Sequence, residues 1–465
     1  MNIPGARTNF NENPDGRGDT PSPGVIASVS RVNAALVFTM PLTLSGERSQ
    51  TMNPLRSSLP LILIAFISVL AGCSGHQPAT LDEALTLFRG NKLNEALPLL
   101  EQLAARDSSS SSEHTWLAET YRRLGQKEKA LASARRALEL NPRNSFAHMV
   151  IAETSNPVVG NWAQANSDTT WYHIMKAVEC DSTDGNPWLL VWGEAIHRGE
   201  PAMMHKSLRK LVETGFLTET ALAYGRWMLR GLPPNAILLT NGDMDTYPPC
   251  AVQEVEGFRR DVAIVNCGTL NESWYARFVR DDEHVPLPFD DEQLDHLTAS
   301  NKDGNVVLPS DKIFAGWIAQ KSAGSLDRPL TVAVTVEETY YANARGNMRF
   351  AGAFLEWTDA VSAQIPDTEA VRAGLLETDP DAFTGPWVSE QDRSPIRRVF
   401  TKNIVRNVTH AALVYAEALM KEDRDAEADR WVRWADRVDK ESELGPVFTE
   451  QVSHLKEEIA KTKRR

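Results

Sequence analysis

Positive charge is in the minority in this 465-residue chain: 49 Lys and Arg face 62 Asp and Glu, a formal net charge of −13. Affinity for a phosphate backbone comes mainly from clustered Lys and Arg, so this balance argues against a nucleic-acid partner. The basic run Lys461-Thr462-Lys463-Arg464-Arg465 is expected as a solvated helix end. Cysteine is scarce as well. Cys73, Cys180, Cys250 and Cys267 show none of the paired Cys-x-x-Cys spacing of a zinc site. Cys250 and Cys267 each sit in an apolar run and are expected as buried thiols. After residue 72 there is no apolar run of transmembrane length, so no membrane-crossing helix is expected there. A Gly-x-Ser-x-Gly elbow, a P-loop, a dinucleotide fingerprint and a His-Glu-x-x-His pair are also missing, and the histidines are scattered. A binding protein is therefore expected rather than an enzyme.

What is present starts at residues 52–75. Met52 and Arg56 precede an apolar block, Leu59–Leu70, of signal-peptide length, which runs into Ala71-Gly72-Cys73-Ser74-Gly75. The block is too short to span a bilayer, and Gly72 and Gly75 would break a core helix. The order of charge, apolar core, small pair and cysteine resembles the lipobox of bacterial lipoproteins. That resemblance implies a signal peptide over residues 52–72, cleavage before Cys73, a lipid on Cys73 and a tether over 73–79. It also implies a cell-envelope location, with the outer membrane favoured because Ser74, not Asp, follows the cysteine. A triacylated terminus carries chains enough for stable anchoring. Residues 1–51, polar and rich in Gly, Pro and Asn, are expected as a disordered or mis-assigned leader, with translation starting at Met52.

Residues 113–142 carry a helical pattern. Leu117, Ala118 and Tyr121 fall on a first helix, Gly125 at a turn, Ala130, Ala134 and Ala137 on a second helix, and Pro142 at its end. Small alanines let paired helices approach closely, and the glycine turns the chain. A period of about 34 residues takes Ala118 and Ala130 back to Ala84 and Ala96, and Ala118 forward to Ala152. The string closely resembles a tetratricopeptide repeat. Leu81–Arg89 is predicted to pair with Asn94–Arg106. A third unit from Ser145 is interrupted by an insertion, Asn156 to Asn166, before Trp171–Cys180, and Trp188–His197 pairs with Ala202–Glu213. Residues 80–230 are thus expected as an α-solenoid with units enough to bury a continuous core. The resemblance implies a protein partner on its concave face. Trp162, Trp171, Trp188 and Trp192 are open to two readings, inter-repeat packing or a flat platform for a peptide or sugar.

The periodicity changes at Pro233. Ala236–Thr240, Asp261–Asn266 and Leu330–Val336 read as buried strands, separated by helices near Pro248–Glu256, Trp274–Arg280 and Lys312–Gln320, with an edge strand over Met348–Glu356. Strand–helix–strand order predicts a small α/β domain with a mainly parallel sheet over 231–365. The string Pro234–Pro248 with Gln253–Gly257 looks like the soluble C-terminal region of bacterial multi-pass membrane proteins related to transmembrane O-mannosyltransferases. The resemblance spans residues 230–360 and omits the transmembrane catalytic portion, so no transferase activity is carried over. The loop after the first strand, Asn241, Gly242, Asp243, Met244, Asp245 and Thr246, admits two readings. Asn-Gly turns the chain while Asp245 or Thr246 caps a helix; or Asn241, Asp243, Asp245 and Thr246 hold a divalent cation or polar ligand at the C-terminal end of a strand. Glu254 and Glu256 point to different helix faces and form no acid–base pair.

Residues 366–400, rich in Pro, Asp and Gly, are expected as an irregular connector. They are followed by closing helices over 401–465: Asn403–Lys421, Asp425–Val438 and Glu450–Lys463, the last capped by Thr449. The reading is an envelope-anchored interaction scaffold that needs no cofactor. Its alternative is a ligand- or metal-binding accessory of glycan or glycoprotein metabolism built on Asp243 and Asp245.

Overall fold

Among the described residues nine α-helices come first: α1 (Leu81–Arg89), α2 (Leu93–Arg106), α3 (Ser111–Arg123), α4 (Lys127–Leu140), α5 (Ser145–Ser155), α6 (Ser167–Cys180), α7 (Asn186–His197), α8 (Pro201–Glu213) and α9 (Glu219–Arg230). The computed structural model describes residues 79–159, 163, 165–302, 305–360, 362–376, 380–442 and 446–462. The proposed signal segment, Cys73 and Trp162 lie outside them. Side-chain oxygens start α1, α3, α5, α6 and α9: Thr80, Ser110, Asn144, Asn166 and Thr218 each accept a main-chain N–H of the first turn. Each such bond is worth about 1 kcal/mol. Gly125 closes α3 with φ +74°, which lets Gln126 N–H reach Tyr121 O at 2.8 Å and sends the chain back as α4.

Consecutive helices pack as antiparallel hairpins, α1 on α2, α3 on α4, α5 on α6 and α7 on α8. The alanines of the repeat pattern lie where they were expected: Ala84, Ala96, Ala118, Ala130, Ala134, Ala137 and Ala152 are all fully buried, and Leu117 and Tyr121 nearly so. Trp188 and Trp192 are core residues, and Trp171 packs partly buried against the same cluster. The insertion after α5 is closed by Asn166 N–H on Ser155 O at 2.8 Å.

The second part contains β1 (Ile237–Thr240), α10 (Asp243–Glu256), β2 (Ala263–Asn266), α11 (Ser273–Asp281), α12 (Asp291–Asp295), β3 (Ser300–Lys302), β4 (Asn305–Val307), α13 (Pro309–Ser322), β5 (Leu330–Ala333), β6 (Met348–Phe350) and β7 (Phe354–Trp357). The main sheet runs β2-β1-β5-β7-β6. Its first three strands are parallel, joined through α10 and through the α11–α13 crossover, in register Ile237 with Ala263 and Leu330. The expected single edge strand is a hairpin instead. β6 and β7 pair antiparallel with each other, and β7 with β5, because Gly352 at φ +92° turns the chain between them. The sheet is therefore mixed.

The chain closes with α14 (Thr368–Leu376), α15 (Pro395–Lys421), α16 (Asp425–Ser442) and α17 (Pro446–Thr462). Three expectations need correction. Residues 366–400 contain a helix, α14, whose Val371 and Leu375 are buried. α15 begins eight residues before Asn403, because Ser394 caps it and Pro395 supplies the preset φ of a first helical position. α17 starts at Pro446, so Thr449 lies inside it and is not its cap. The core also departs from a division into separate domains. One continuous cluster includes Ala152, Trp188, Trp227, Leu238, Phe314, Val408, Trp431 and Ile459, so the sheet shares its core with α5–α9 and with the C-terminal helices. Smaller clusters hold α1–α4 and the α3–α5 junction.

Candidate functional site

The loop after β1 was the foremost sequence candidate, and the structure separates its two carboxylates. α10 begins at Asp243, not near Pro248, which places Asp245 at the third helical position. From there Asp245 turns back and accepts the main-chain N–H groups of Asn241 at 2.7 Å and Gly242 at 2.8 Å, together with the Thr335 hydroxyl. These are bonds of a helix N-terminus satisfying its own orphan donors. Asp245 is buried, and desolvation raises its pKa against the pull of those donors. Thr246 is buried too and exchanges a 2.7 Å hydrogen bond with Thr240, while the Asn266 amide donates to it at 2.9 Å. Asp243 faces the other way, half exposed, and pairs with Arg397. Among the described residues no group of three or more His, Cys, Asp or Glu converges as a metal would need. Cys267 is buried and Cys250 half-buried; burial pushes both thiols above their ordinary range.

A second site was not visible in the sequence. It lies on the face shared by α1, α3, α5 and α7, the first helix of each hairpin. Phe88, Trp116 and Phe146 form an edge-to-face row across it, with centroids 5.3 and 4.8 Å apart. A strap from the C-terminal part of the chain, residues 384–394, crosses this face on its way into α15. It leaves α9, where Gly385 abuts Thr220 and Trp387 packs on Tyr224 at 5.3 Å. It then meets α7, where Asn186 donates from its amide to Gln391 O at 2.8 Å and accepts the Arg393 N–H at 3.3 Å. Asn186 is itself held by Asp184, which accepts its amide at 2.8 Å and its main-chain N–H at 3.0 Å.

Arg393 fills a defined slot. Its guanidinium lies 2.7 Å from the buried Asp184 carboxylate, 4.4 Å from the Phe146 ring centroid and 3.9 Å from Met149 Sδ. The strap is braced from behind by α15. Arg397 makes a bidentate pair with the buried Asp392, at 2.6 and 2.8 Å, and Arg398 donates to the carbonyls of Ser389, Glu390 and Asp392. Burial opposes the charge of Arg397, yet Asp392 and Asp243 outweigh it and hold the group protonated. Beneath the strap, Glu119 is buried between Arg122 and Arg123, which overcome its desolvation and depress its pKa to about 2. Arg122 also pairs with Glu153 at 2.6 Å. Cavities remain on both sides of the strap. One, of about 150 Å³, is lined by Glu119, Arg123, Asp243 and Arg397; the other, of about 280 Å³, by Phe88, Arg89, Trp116 and Arg398.

Comparison with known proteins divides along the same chain. Residues 89–166 match the family described as anaphase-promoting complex, cyclosome, subunit 3. The N-terminal hairpins form a tetratricopeptide-like repeat domain. The signature residues Leu117, Ala118, Tyr121, Gly125, Ala130, Ala137 and Pro142 all fall within that match. Residues 221–308, which contain β1, α10 and β2, match the family described as TMEM260-associated domain 2. Among solved structures, the crystal structure of the P58(IPK) TPR domain aligns at 12% identity over 83% of this chain and 98% of its own, with a TM-score of 0.17. No curated protein sequence matches the chain.

Asp184, Asn186, Asp392, Arg393 and Arg397 carried no local motif. The available signal was Ser394-Pro395, an N-cap followed by a first-position proline, which marks the start of α15 directly after an Asp-Arg pair.

Proposed function

We propose that this protein is an interaction scaffold of the cell envelope, lipid-anchored at Cys73, that holds extended polypeptide in the groove of its tetratricopeptide-like repeats. The observation that carries the reading is the Asn186 carboxamide, which binds main-chain N–H and C=O groups of a segment crossing the groove. A side chain that reads backbone polar groups does not depend on the sequence it holds, so the chemistry suits polypeptide as a class. The match of residues 89–166 to a family described as a subunit of a multiprotein complex supports the same reading. The lipid anchor rests on the Leu70–Cys73 sequence. The alternative, a metal-binding accessory of glycan metabolism on Asp243 and Asp245, is not favoured, because one carboxylate is spent on the α10 N-terminus and the other on Arg397.

The test is photo-crosslinking in cells from a benzophenone amino acid at Trp116, in the groove, and at Arg433, on the exposed side of α16, followed by pull-down from envelope fractions. Discrete partner proteins captured from position 116 and not from 433 are expected. Equal capture from both, or none from 116, overturns the scaffold reading. Mass spectrometry of the native protein tests the anchor. A lipid-modified N-terminal Cys73 is expected, and a free thiol there still joined to residues 52–72 overturns it.

A further inference from the structure

We propose that residues 389–393 are an intramolecular occupant of the groove, and that the partner segment which displaces them is an extended polypeptide carrying an arginine. The proposal deepens the scaffold reading and rests on it. Two recognition elements are built into the repeats. Asn186 reads the backbone on either side of one residue, Asp392, through Gln391 O and Arg393 N–H. One residue further along, a carboxylate, an aromatic face and a thioether converge on a guanidinium: Asp184 at 2.7 Å, Phe146 at 4.4 Å and Met149 at 3.9 Å. A planar, delocalised cation that stacks and pairs at once is arginine, not lysine. The side chain of Asp184 is 3% exposed, so an empty slot would leave a carboxylate desolvated beside only the Asn186 donors.

The present occupant is only partly committed to the slot. Glu390 and Gln391 are exposed, and Asp392 faces its own helix through Arg397 and Arg398 and makes no bond to the repeats. The polar contacts between strap and repeats thus reduce to the two Asn186 bonds and the Arg393 contacts with Asp184 and Met149. So few contacts make exchange feasible while α15 stays folded. The cavities of about 150 and 280 Å³ flanking the strap leave room for a longer segment than the one now present. A tethered occupant competes at an effective concentration in the millimolar range, which lowers the apparent affinity of an external segment by the fraction of time the groove is free.

The test uses the full mature chain and a fluorescein-labelled synthetic peptide of residues 388–396, titrated by anisotropy. Arg393→Ala empties the slot in the protein and is expected to bind the peptide at least about tenfold more tightly than the unaltered chain. Arg393→Lys, which keeps the charge and loses the planar fork, is expected to lie between them and covers the case in which the alanine variant does not fold. Adding Asp184→Asn to either variant is expected to abolish binding, as is replacing the peptide's arginine by alanine. Equal affinity for unaltered and variant proteins, or undiminished binding of the alanine peptide, overturns the proposal. So does a self-associated dimer of the unaltered chain whose variants ignore the peptide, because the groove would then accept only this chain's own strap. Failure here leaves partner capture from position 116 intact, whereas failure of that capture with successful peptide binding removes the envelope scaffold and keeps the arginine slot.

Discussion

The Asn186 carboxamide oxygen accepts the main-chain N–H of Arg393 across 207 positions of sequence, joining the fourth helical hairpin to the approach of α15. The same side chain donates to Gln391 O and to Asp184, so one buried amide ties strap, repeat and arginine slot together. Satisfying both ends of a buried amide leaves no desolvation debt at the junction.

Asn186→Ala should therefore cost about 2–3 kcal/mol in urea denaturation, since it removes two bonds to the strap and one to Asp184 in a buried setting. Hydrogen exchange should show where: amides of residues 389–394 should exchange faster by tenfold or more, with those of the buried α15 stretch around Val408 and Ala411 unaffected. Uniform acceleration along the whole chain would contradict a local clamp.

Gly225 on α9 and Gly193 on α7 give a matched pair. A Cβ at Gly225 would meet the Pro248 main chain at 2.7–2.8 Å, where α9 rests on the two prolines of α10, and backbone cannot yield as a side-chain tip can. Gly225→Ala should destabilise by about 1–3 kcal/mol. At Gly193 nothing lies within 4 Å, and Gly193→Ala should stabilise by about 0.5–1 kcal/mol through helix propensity. Thermal melts of the two variants should move in opposite directions.

The two carboxylates of the β1–α10 loop should behave unequally. Asp245→Ala orphans the N–H groups of Asn241 and Gly242 in a buried position, and should cost about 2–4 kcal/mol. Asp243→Ala removes a half-exposed partner of Arg397, which keeps Asp392, and should cost under about 1 kcal/mol. Equal losses, or a melting shift with Mn²⁺ that either variant abolishes, would revive the shared-site reading.

Acid should loosen the α5–α6 hairpin first. His148 and His173 bring their Nδ1 atoms to 2.8 Å, with Arg135, Lys176 and Glu179 the charges acting on the pair. Burial chiefly, then the neighbouring His148 and Arg135, depresses the His173 pKa to about 4. A histidine depressed in the fold is protonated earlier in the unfolded chain, so the hairpin should be at full strength above about pH 6.5 and lose stability as pH falls toward 4. Melting temperature should decline across that window, and His173→Gln should flatten the decline. An unchanged slope in the variant would place the acid sensitivity elsewhere.

Sequence alone was enough for the helical repeats and for three central strands in parallel. Both follow from local pattern: alanines about 34 residues apart recur at equivalent positions of successive helical hairpins, and short, mostly apolar runs such as Ile237–Thr240 and Leu330–Ala333 suit strands covered on both faces. The fate of the Asp243-Met-Asp245 loop was only half legible. Both outcomes place a carboxylate at a strand end, and whether two carboxylates meet depends on where the helix begins; α10 begins at Asp243, turning Asp245 inward and Asp243 outward. The groove was not legible at all. Its parts, Phe146, Asp184, Asn186 and Arg393, lie in segments that meet only after α15 has packed back across the repeats, and the charge pairing that selects arginine exists only once Asp184 is desolvated there. Propensity acts between neighbours in sequence, while burial decides between groups that only the folded chain brings together.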